Sequence, residues 1–444
     1  MLIRFVVSNY LSFKEETEIN MLASAVRSHP HHVYDSGKVQ LVKAGAIYGA
    51  NASGKSNLIK AIDALRSQIK QGFILPNSEA VAFRFKEKDE QKPICFEIEF
   101  LINETMYHYG LEIQSNQVQQ EWLIKRLSAK KEIILFERKR DSVEWHSSMY
   151  KNANEHTFLK LGVDKLVQPN HVLLSHVLIK DKNPIKEVLN FLLNELILIY
   201  PQSNFTAYPL ILSLFDKESV EFGELISLFD TGMTSLELKE IDFNEFSQSE
   251  QLSEAVKSDL QKRVTTEKKS VFQGKWFSYL LVSEGASIKV YAMQGRHQLP
   301  NGLSEQFFMH EESDGTRRIL DLIPILYLLQ KKSYVFIIDE IERSLHPSLI
   351  KQLVETLLKT EDLKGQLIFT THESNLLDLT VLRSDEIWFM EKDPQTGASD
   401  CYSLTSFKPR VDLDIEKGYL NGRFGAIPFL GNLRNLTLND LEYA

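Results

Sequence analysis

The chain has 444 residues, 43% of them hydrophobic and 25% charged, and a formal net charge of −9. That length suits two or three average domains, or one large α/β fold with an insertion, and the composition excludes collagen-like, low-complexity and wholly disordered classes. The acidic balance argues against nucleic acid bound over the whole surface but leaves room for one local basic face; the only cysteines, Cys95 and Cys401, lie far apart, which excludes a disulfide framework or a zinc motif and suits a reducing cytoplasm.

The opening Met1-Leu2-Ile3-Arg4-Phe5 lacks the pattern of a secretory signal. The longest apolar stretch, Val188 to Tyr200, is broken by Asn190, Asn194 and Glu195 and is too short for a bilayer, so the expectation is a cytoplasmic protein without a membrane partner. Ile3 to Val7 reads as a strand, and Leu41 to Tyr48 is an apolar run leading into a glycine loop. After the loop, Leu58, Ile59, Ile62, Leu65 and Ile69 recur at helical spacing. The triple His29, His31 and His32 has no companion acid or cysteine spacing to support a metal site and reads as a surface loop. From about Ala80 to Trp145 short strands alternate, with Asn103-Glu104 as a turn between two of them. Residues from about Asn152 to Lys268 are rich in Leu, Glu and Lys without a heptad repeat and read as mostly helical. Beyond them α/β alternation returns: helix Thr316 to Leu329, strand Tyr334 to Ile338, helix Ser348 to Leu358 and strand Gln366 to Thr371. Three segments result, 1–150, 151–270 and 271–444, with the middle one inserted between the two halves of one α/β head.

Gly49-Ala50-Asn51-Ala52-Ser53-Gly54-Lys55-Ser56 matches the phosphate-binding loop, in which backbone N–H groups at a helix N-terminus surround phosphate oxygens, a lysine neutralises them and a hydroxyl ligates magnesium. Tyr334 to Glu340 is an apolar strand ending in two acids, at the edge where open α/β sheets bind ligands. Asp339 is expected to join Ser56 in the magnesium shell, and Glu340 to orient or deprotonate an attacking water. In isolation, Asp339-Glu340 would better suit a solvated strand end, Ser313-Asp314 an ordinary helix cap, and His372 a packed or capping residue; the phosphate loop upstream, the spacing and the Thr-His strand ending reverse that weighting. Lys-rich stretches from Lys125 to Lys139 and Lys262 to Lys269 fit solvated faces better than a nucleic-acid groove.

The set resembles an ABC-type P-loop ATPase of the branch shared with chromosome-maintenance (SMC) and overcoming-lysogenisation-defect (OLD) proteins. In look it is nearest to stand-alone bacterial AAA15/AAA21-type ATPases of phage-defence, or abortive-infection, systems. The resemblance rests on Asn51 and Asn57 in the loop, on Ser313-Asp314-Gly315-Thr316-Arg317-Arg318 as a signature segment, on Ser344-Leu345-His346-Pro347 as a D-loop, on Thr371-His372 as a switch, and on the tail from Gly418-Tyr419 to Gly425. It implies a head with a mixed central sheet and an antiparallel β lobe, interrupted by a mainly helical insertion. It also implies ATP and Mg2+ as ligands, held by Gly49, Asn51, Gly54, Lys55, Ser56, Asn57 and Asp339, with Glu340 and His372 in hydrolysis. Ser313 and Gly315 would then close over the ATP of a second head, making a homodimer or higher homo-oligomer that controls a separate effector protein. No glutamine fills the Q-loop role, although Gln71 and Gln91 lie in the region. The competing expectation is an SMC-like DNA-maintenance ATPase that clamps nucleic acid, against which the acidic balance and missing coiled coil count. A transporter subunit fits less well.

Overall fold

The computed structural model describes residues 1–74, 81–85, 92–128, 131–201, 229, 231–274, 278–285, 287–299, 301–360, 362–410 and 413–427. Gln91 lies outside them. The chain divides into two compact units: Met1–Leu198, Ser333–Ile341 and Leu358–Ala444 form one, and Ile199–Lys332 with Glu342–Leu357 the other. This partition differs from the three expected segments. Residues 151–198 go with the phosphate loop, and residues 271–332 go with 199–270. The cause is strand pairing across position 270, where Met233–Ile241 runs antiparallel to Ser287–Gln298.

The first unit holds two sheets. One has six strands in the order Leu196–Ile199, Val335–Ile338, Gln366–Thr371, Ala44–Tyr48, Ile387–Lys392 and Ser399–Ser403. Its pairs from Val335–Ile338 through Ile387–Lys392 are parallel and the last pair is antiparallel. Every residue of Ala44–Tyr48, Val335–Ile338 and Gln366–Thr371 is buried, as parallel strands covered on both faces must be, which explains their unbroken apolar runs. Gln366, Thr370 and Thr371 are the polar exceptions, and Gln366 is the largest of them. Its Oε1 accepts from the Leu2 amide at 2.8 Å, and its Nε2 donates to the carbonyls of Leu2 (3.2 Å) and Val42 (2.9 Å). This fully buried side chain thereby ties the parallel sheet to the opening strand, Leu2–Ser8.

That strand belongs to the second sheet, seven antiparallel strands in the order Ser142–Trp145, Lys131–Lys139, Gln117–Ser128, Thr105–Gln114, Ile94–Ile102, Leu2–Ser8 and Thr17–Asn20. The expected turn joins Ile102 to Thr105, and Asn103 (φ 45°) and Glu104 (φ 61°) are both left-handed, which matches the twist of a tight hairpin. Glu121 is buried in this lobe and accepts from the amides of Leu173 and Leu174 and from the Tyr109 hydroxyl. Arg138 donates to the carbonyls of Gln168 and His171, so two buried charges fasten the loop after helix Ala153–Leu166 to the hairpins.

Helix Lys55–Gln71 begins on Gly54 and ends at Gly72, whose left-handed backbone lets its N–H reach the Gln68 carbonyl. Leu58, Ile59, Ile62, Leu65 and Ile69 are all buried, as their spacing requires. The tail also has a packing reason. Tyr419, on helix Ile415–Leu420, stacks on Phe389 at 5.7 Å and meets Tyr48 at 6.1 Å, and Phe424 stacks on the same Phe389 ring at 5.6 Å. These rings wedge the strand that delivers the phosphate loop.

The second unit builds a core of Leu236, Phe246, Val264, Leu281, Val290, Met293, Ile319 and Ile323, with neighbours, between helices and a five-stranded antiparallel sheet. The stretch 151–270 contains the expected helices Ala153–Leu166, Asn183–Asn190, Phe243–Ser249 and Glu254–Glu267. It also contains strands, Leu196–Ile199 and Met233–Ile241, that composition had hidden. Met-Thr-Ser-Leu-Glu-Leu-Lys-Glu-Ile has helix-forming residues, but a bulge between Met233 and Ser235 puts Met233 and Leu236 on the buried side, and cross-strand pairing overrides propensity. Residues 202–228 of this stretch lie outside the described residues. Among the described residues no helix is long and apolar enough to cross a membrane.

The histidine triple needs a correction. His29 and His31 are partly exposed, but His32 is 2% exposed and its Nδ1 sits 3.1 Å from both carboxylate oxygens of buried Glu386. Burial pushes the His32 imidazole down to about 3, helped by the positive charges near it. The companion acid exists; it arrives from 354 positions away.

Candidate functional site

The strand Ala44–Tyr48 delivers Gly49 into a space that admits no side chain: a Cβ there would meet the Met390 carbonyl oxygen at 2.3 Å and Ser53 Oγ at 2.6 Å. Gly54 sits at φ +118°, and a Cβ on it would lie 2.5 Å from Ser399 Oγ. Both glycines are therefore demanded by closeness, and Gly54 by conformation as well. Two strands behind the loop, Ile387–Lys392 and Ser399–Ser403, set this limit. The loop is left as a shell of backbone groups leading into a helix N-terminus, the arrangement that receives anions.

Lys55 is 5% exposed, and its Nζ donates to the carbonyls of Gly49 at 2.6 Å and Ala50 at 3.1 Å. The same Nζ is 3.4 Å from His372 Nδ1. His372, the expected switch residue just beyond Gln366–Thr371, thus meets the loop lysine because their strands are sheet neighbours. Asn57, expected to bind the cofactor, donates its amide to Ser12 Oγ at 2.9 Å. Asn51 is exposed on the loop, and Ser56 is half-buried on the first turn of the helix. Ser53 Oγ and Ser399 Oγ are buried without a hydrogen-bond partner among the described residues, beside the two glycines whose Cβ positions are filled. Orphaned hydroxyls and a backbone cradle fit a phosphate-bearing ligand.

Asp339 is buried and its Oδ1 accepts from Thr370 Oγ1 at 2.6 Å. Thr370 Oγ1 in turn accepts from the Glu340 amide at 2.8 Å, and the Ile341 amide donates to the Thr370 carbonyl. One fully buried threonine therefore fixes both acids at once. Glu340 needs this hold, since its φ of 49° is left-handed, a conformation that costs a residue with a Cβ about 1–2 kcal/mol. The turn swings the Glu340 side chain off the strand's alternation. Sequence reasoning missed Thr370 because a threonine inside Leu367-Ile368-Phe369-Thr370-Thr371 reads as an ordinary β-former.

In the second unit, Ser313 caps helix Asp314–Lys331: its Oγ accepts from the Thr316 amide at 3.1 Å and lies 2.8 Å from Thr316 Oγ1. A Cβ on Gly315 would come 3.0 Å from the Ser344 carbonyl, so glycine lets the expected signature and D-loop segments touch. Ser344 is left-handed at φ 63°, turning the chain into helix Pro347–Leu358.

A cleft of about 680 Å³ in the first unit, lined by acidic and basic side chains from residues 14–17 and 391–402, includes Ser399 but none of residues 49–56.

A family described as "AAA domain, putative AbiEii toxin, Type IV TA system" (AAA_21) matches residues 46–378. No curated protein matches the chain. Similar solved structures include an SMC head bound to the C-terminal winged-helix domain of ScpA, at 13% identity and a TM-score of 0.44, covering 92% of this chain and 99% of that one. The SMC head domain from Thermotoga maritima is 12% identical with a TM-score of 0.41, covering 90% and 98%. An SMC head with an extended coiled coil, bound to the C-terminal domain of ScpA derived from Pyrococcus furiosus, is 12% identical with a TM-score of 0.38, covering 92% and 98%. The matched stretch takes in the phosphate loop, the paired acids and His372, and spans well over half of the chain, which belongs to the AAA_21 family of P-loop ATPase domains.

Proposed function

We propose that the chain binds ATP with Mg2+ at Gly49–Ser56 and hydrolyses it, using the cycle to join and separate a pair of its own copies. The observation that carries this reading is the convergence on one sheet edge of Lys55 with His372 at 3.4 Å and of Asp339 with Glu340 through Thr370. Bound Mg2+ would offset phosphate charge, with the Ser56 hydroxyl and the Asp339 carboxylate as its protein ligands. Lys55 would exchange the Gly49 and Ala50 carbonyls for phosphate oxygens. Glu340 would accept a proton from the attacking water, with His372 holding the water or the terminal phosphate.

Ser313 and Gly315 fit the trans role because they open a helix, where N–H groups favour a phosphate. The Ser313 hydroxyl would then turn from its cap to the second copy's nucleotide. A switch of this kind suits a sensor ATPase of an antiphage defence system acting on a separate effector. That role is supported only by family resemblance. Light scattering on Glu340→Gln with and without ATP and magnesium tests the composite site. A doubling of mass in ATP, abolished by adding Ser313→Arg, is expected. An unchanged mass while ATP binds would remove the trans role and leave an ATPase acting within one chain. Salt-sensitive, ATP-stimulated DNA binding would instead favour the nucleic-acid clamp.

A further inference from the structure

We infer that His29, His31 and His32 form a transition-metal site on the first unit, taking Zn2+ or a similar divalent ion through three imidazoles. The site is separate from the nucleotide centre and does not depend on the ATPase reading.

One ring nitrogen from each histidine lies within 4.8 Å of the others. The backbone explains this gathering. His29 is left-handed at φ 47° and Pro30 opens a tight 3-10 turn ending at His32, so near-consecutive side chains collect on one side where an extended chain would alternate them. His29 and His32 stack at 4.8 Å, and His31 stands edge-on to His32 at 4.5 Å.

Two of the rings carry the support that metal-bound imidazoles usually have, one nitrogen tied to a carboxylate or a carbonyl. His32 Nδ1 faces both oxygens of Glu386 at 3.1 Å, which leaves Nε2 for an ion. His29 Nε2 lies 2.9 Å from the Leu379 carbonyl, which leaves Nδ1. The supports are themselves anchored. Glu386 accepts from the Arg383 amide at 2.7 Å, Lys43 Nζ donates to the His31 carbonyl at 2.9 Å, and the Lys43 amide donates to the His32 carbonyl at 2.8 Å. Arg383, whose amide donates to Glu386, is itself paired to Asp385.

Ligand nitrogens about 2.0–2.1 Å from zinc stand about 3.3 Å apart in a tetrahedron, so the rings must turn and close by up to about 1.5 Å on binding. His29 and His31 are partly exposed and have room to do so. Three imidazoles with a fourth position for water make an open, tetrahedral site.

The experiment uses the full chain, freed of metal by a chelator and without nucleotide. Zn2+ is titrated by calorimetry and Co2+ by visible absorption, whose ligand-field bands report nitrogen ligands directly. One ion per chain is expected. His31→Gln should weaken binding at least tenfold and Glu386→Gln by about 10–100-fold. Asp339→Asn should leave Co2+ binding unchanged, which separates this site from the proposed magnesium site. If Glu386→Gln does not fold, His31→Gln at its more exposed position carries the test alone. Equal Co2+ binding by wild type and His31→Gln, or no binding by wild type, overturns the inference.

Discussion

Replacing Thr370 by valine removes one oxygen and keeps the shape of the side chain, so its effect isolates the hydroxyl that holds both acids. Two bonds go: the donation to the Asp339 carboxylate at 2.6 Å and the acceptance from the Glu340 amide at 2.8 Å. A hydrogen bond to a charged group contributes about 1.5–3 kcal/mol, and a neutral one about 0.5–1.5 kcal/mol. The added methyl recovers up to about 0.8 kcal/mol by burial. The net loss is then about 1–4 kcal/mol, to be read as a lower urea midpoint at unchanged slope. Turnover should fall further than binding. With its amide released, Glu340 relaxes from φ 49°, and its carboxylate leaves the position from which it would take the proton. A fall in kcat of about 10–100-fold, equivalent to about 1.4–2.7 kcal/mol, is expected with KM changed little. Thr370→Ser, which restores the hydroxyl, should recover most of the turnover. A valine variant with wild-type stability and kcat would refute the reasoning, because the tie would then hold neither acid.

Gly54→Ala places a Cβ 2.5 Å from Ser399 Oγ on a backbone at φ +118°, and should abolish binding of a fluorescent ATP analogue while far-ultraviolet circular dichroism stays close to wild type. Gln366→Leu strips three backbone groups, on Leu2 and Val42, of their side-chain partner inside the fold; a loss of about 2–5 kcal/mol is expected in chemical denaturation, against less than about 0.5 kcal/mol for a change at exposed Lys364.

The phosphate loop was legible because its chemistry is local: glycines, lysine and hydroxyl occur within eight positions, between an apolar strand and a periodic helix. The same holds for Val335–Ile338 ending in two acids, and for the hairpin at Asn103-Glu104. What stayed hidden depends on partners distant in sequence. Thr370 acts on residues 31 and 30 positions away, Gln366 on one 364 away, and Glu386 on His32 354 away. A histidine triple without supporting acid or cysteine spacing looks like a solvated loop until the fold brings Glu386 beside it. Met233–Ile241 was hidden for another reason: its composition suits a helix, and only its pairing with Ser287–Gln298 makes it a strand.

The most direct test of the central claim is phosphate release from ATP by wild type and Glu340→Gln, measured beside nucleotide affinity in the same buffer with magnesium. Binding within a few-fold of wild type together with turnover reduced by at least about a hundredfold is the expected result, since the amide keeps the shape of Glu340 but cannot take the proton. Equal turnover in the two proteins, or a wild type that binds ATP and releases no phosphate, would contradict a hydrolytic centre built on Glu340.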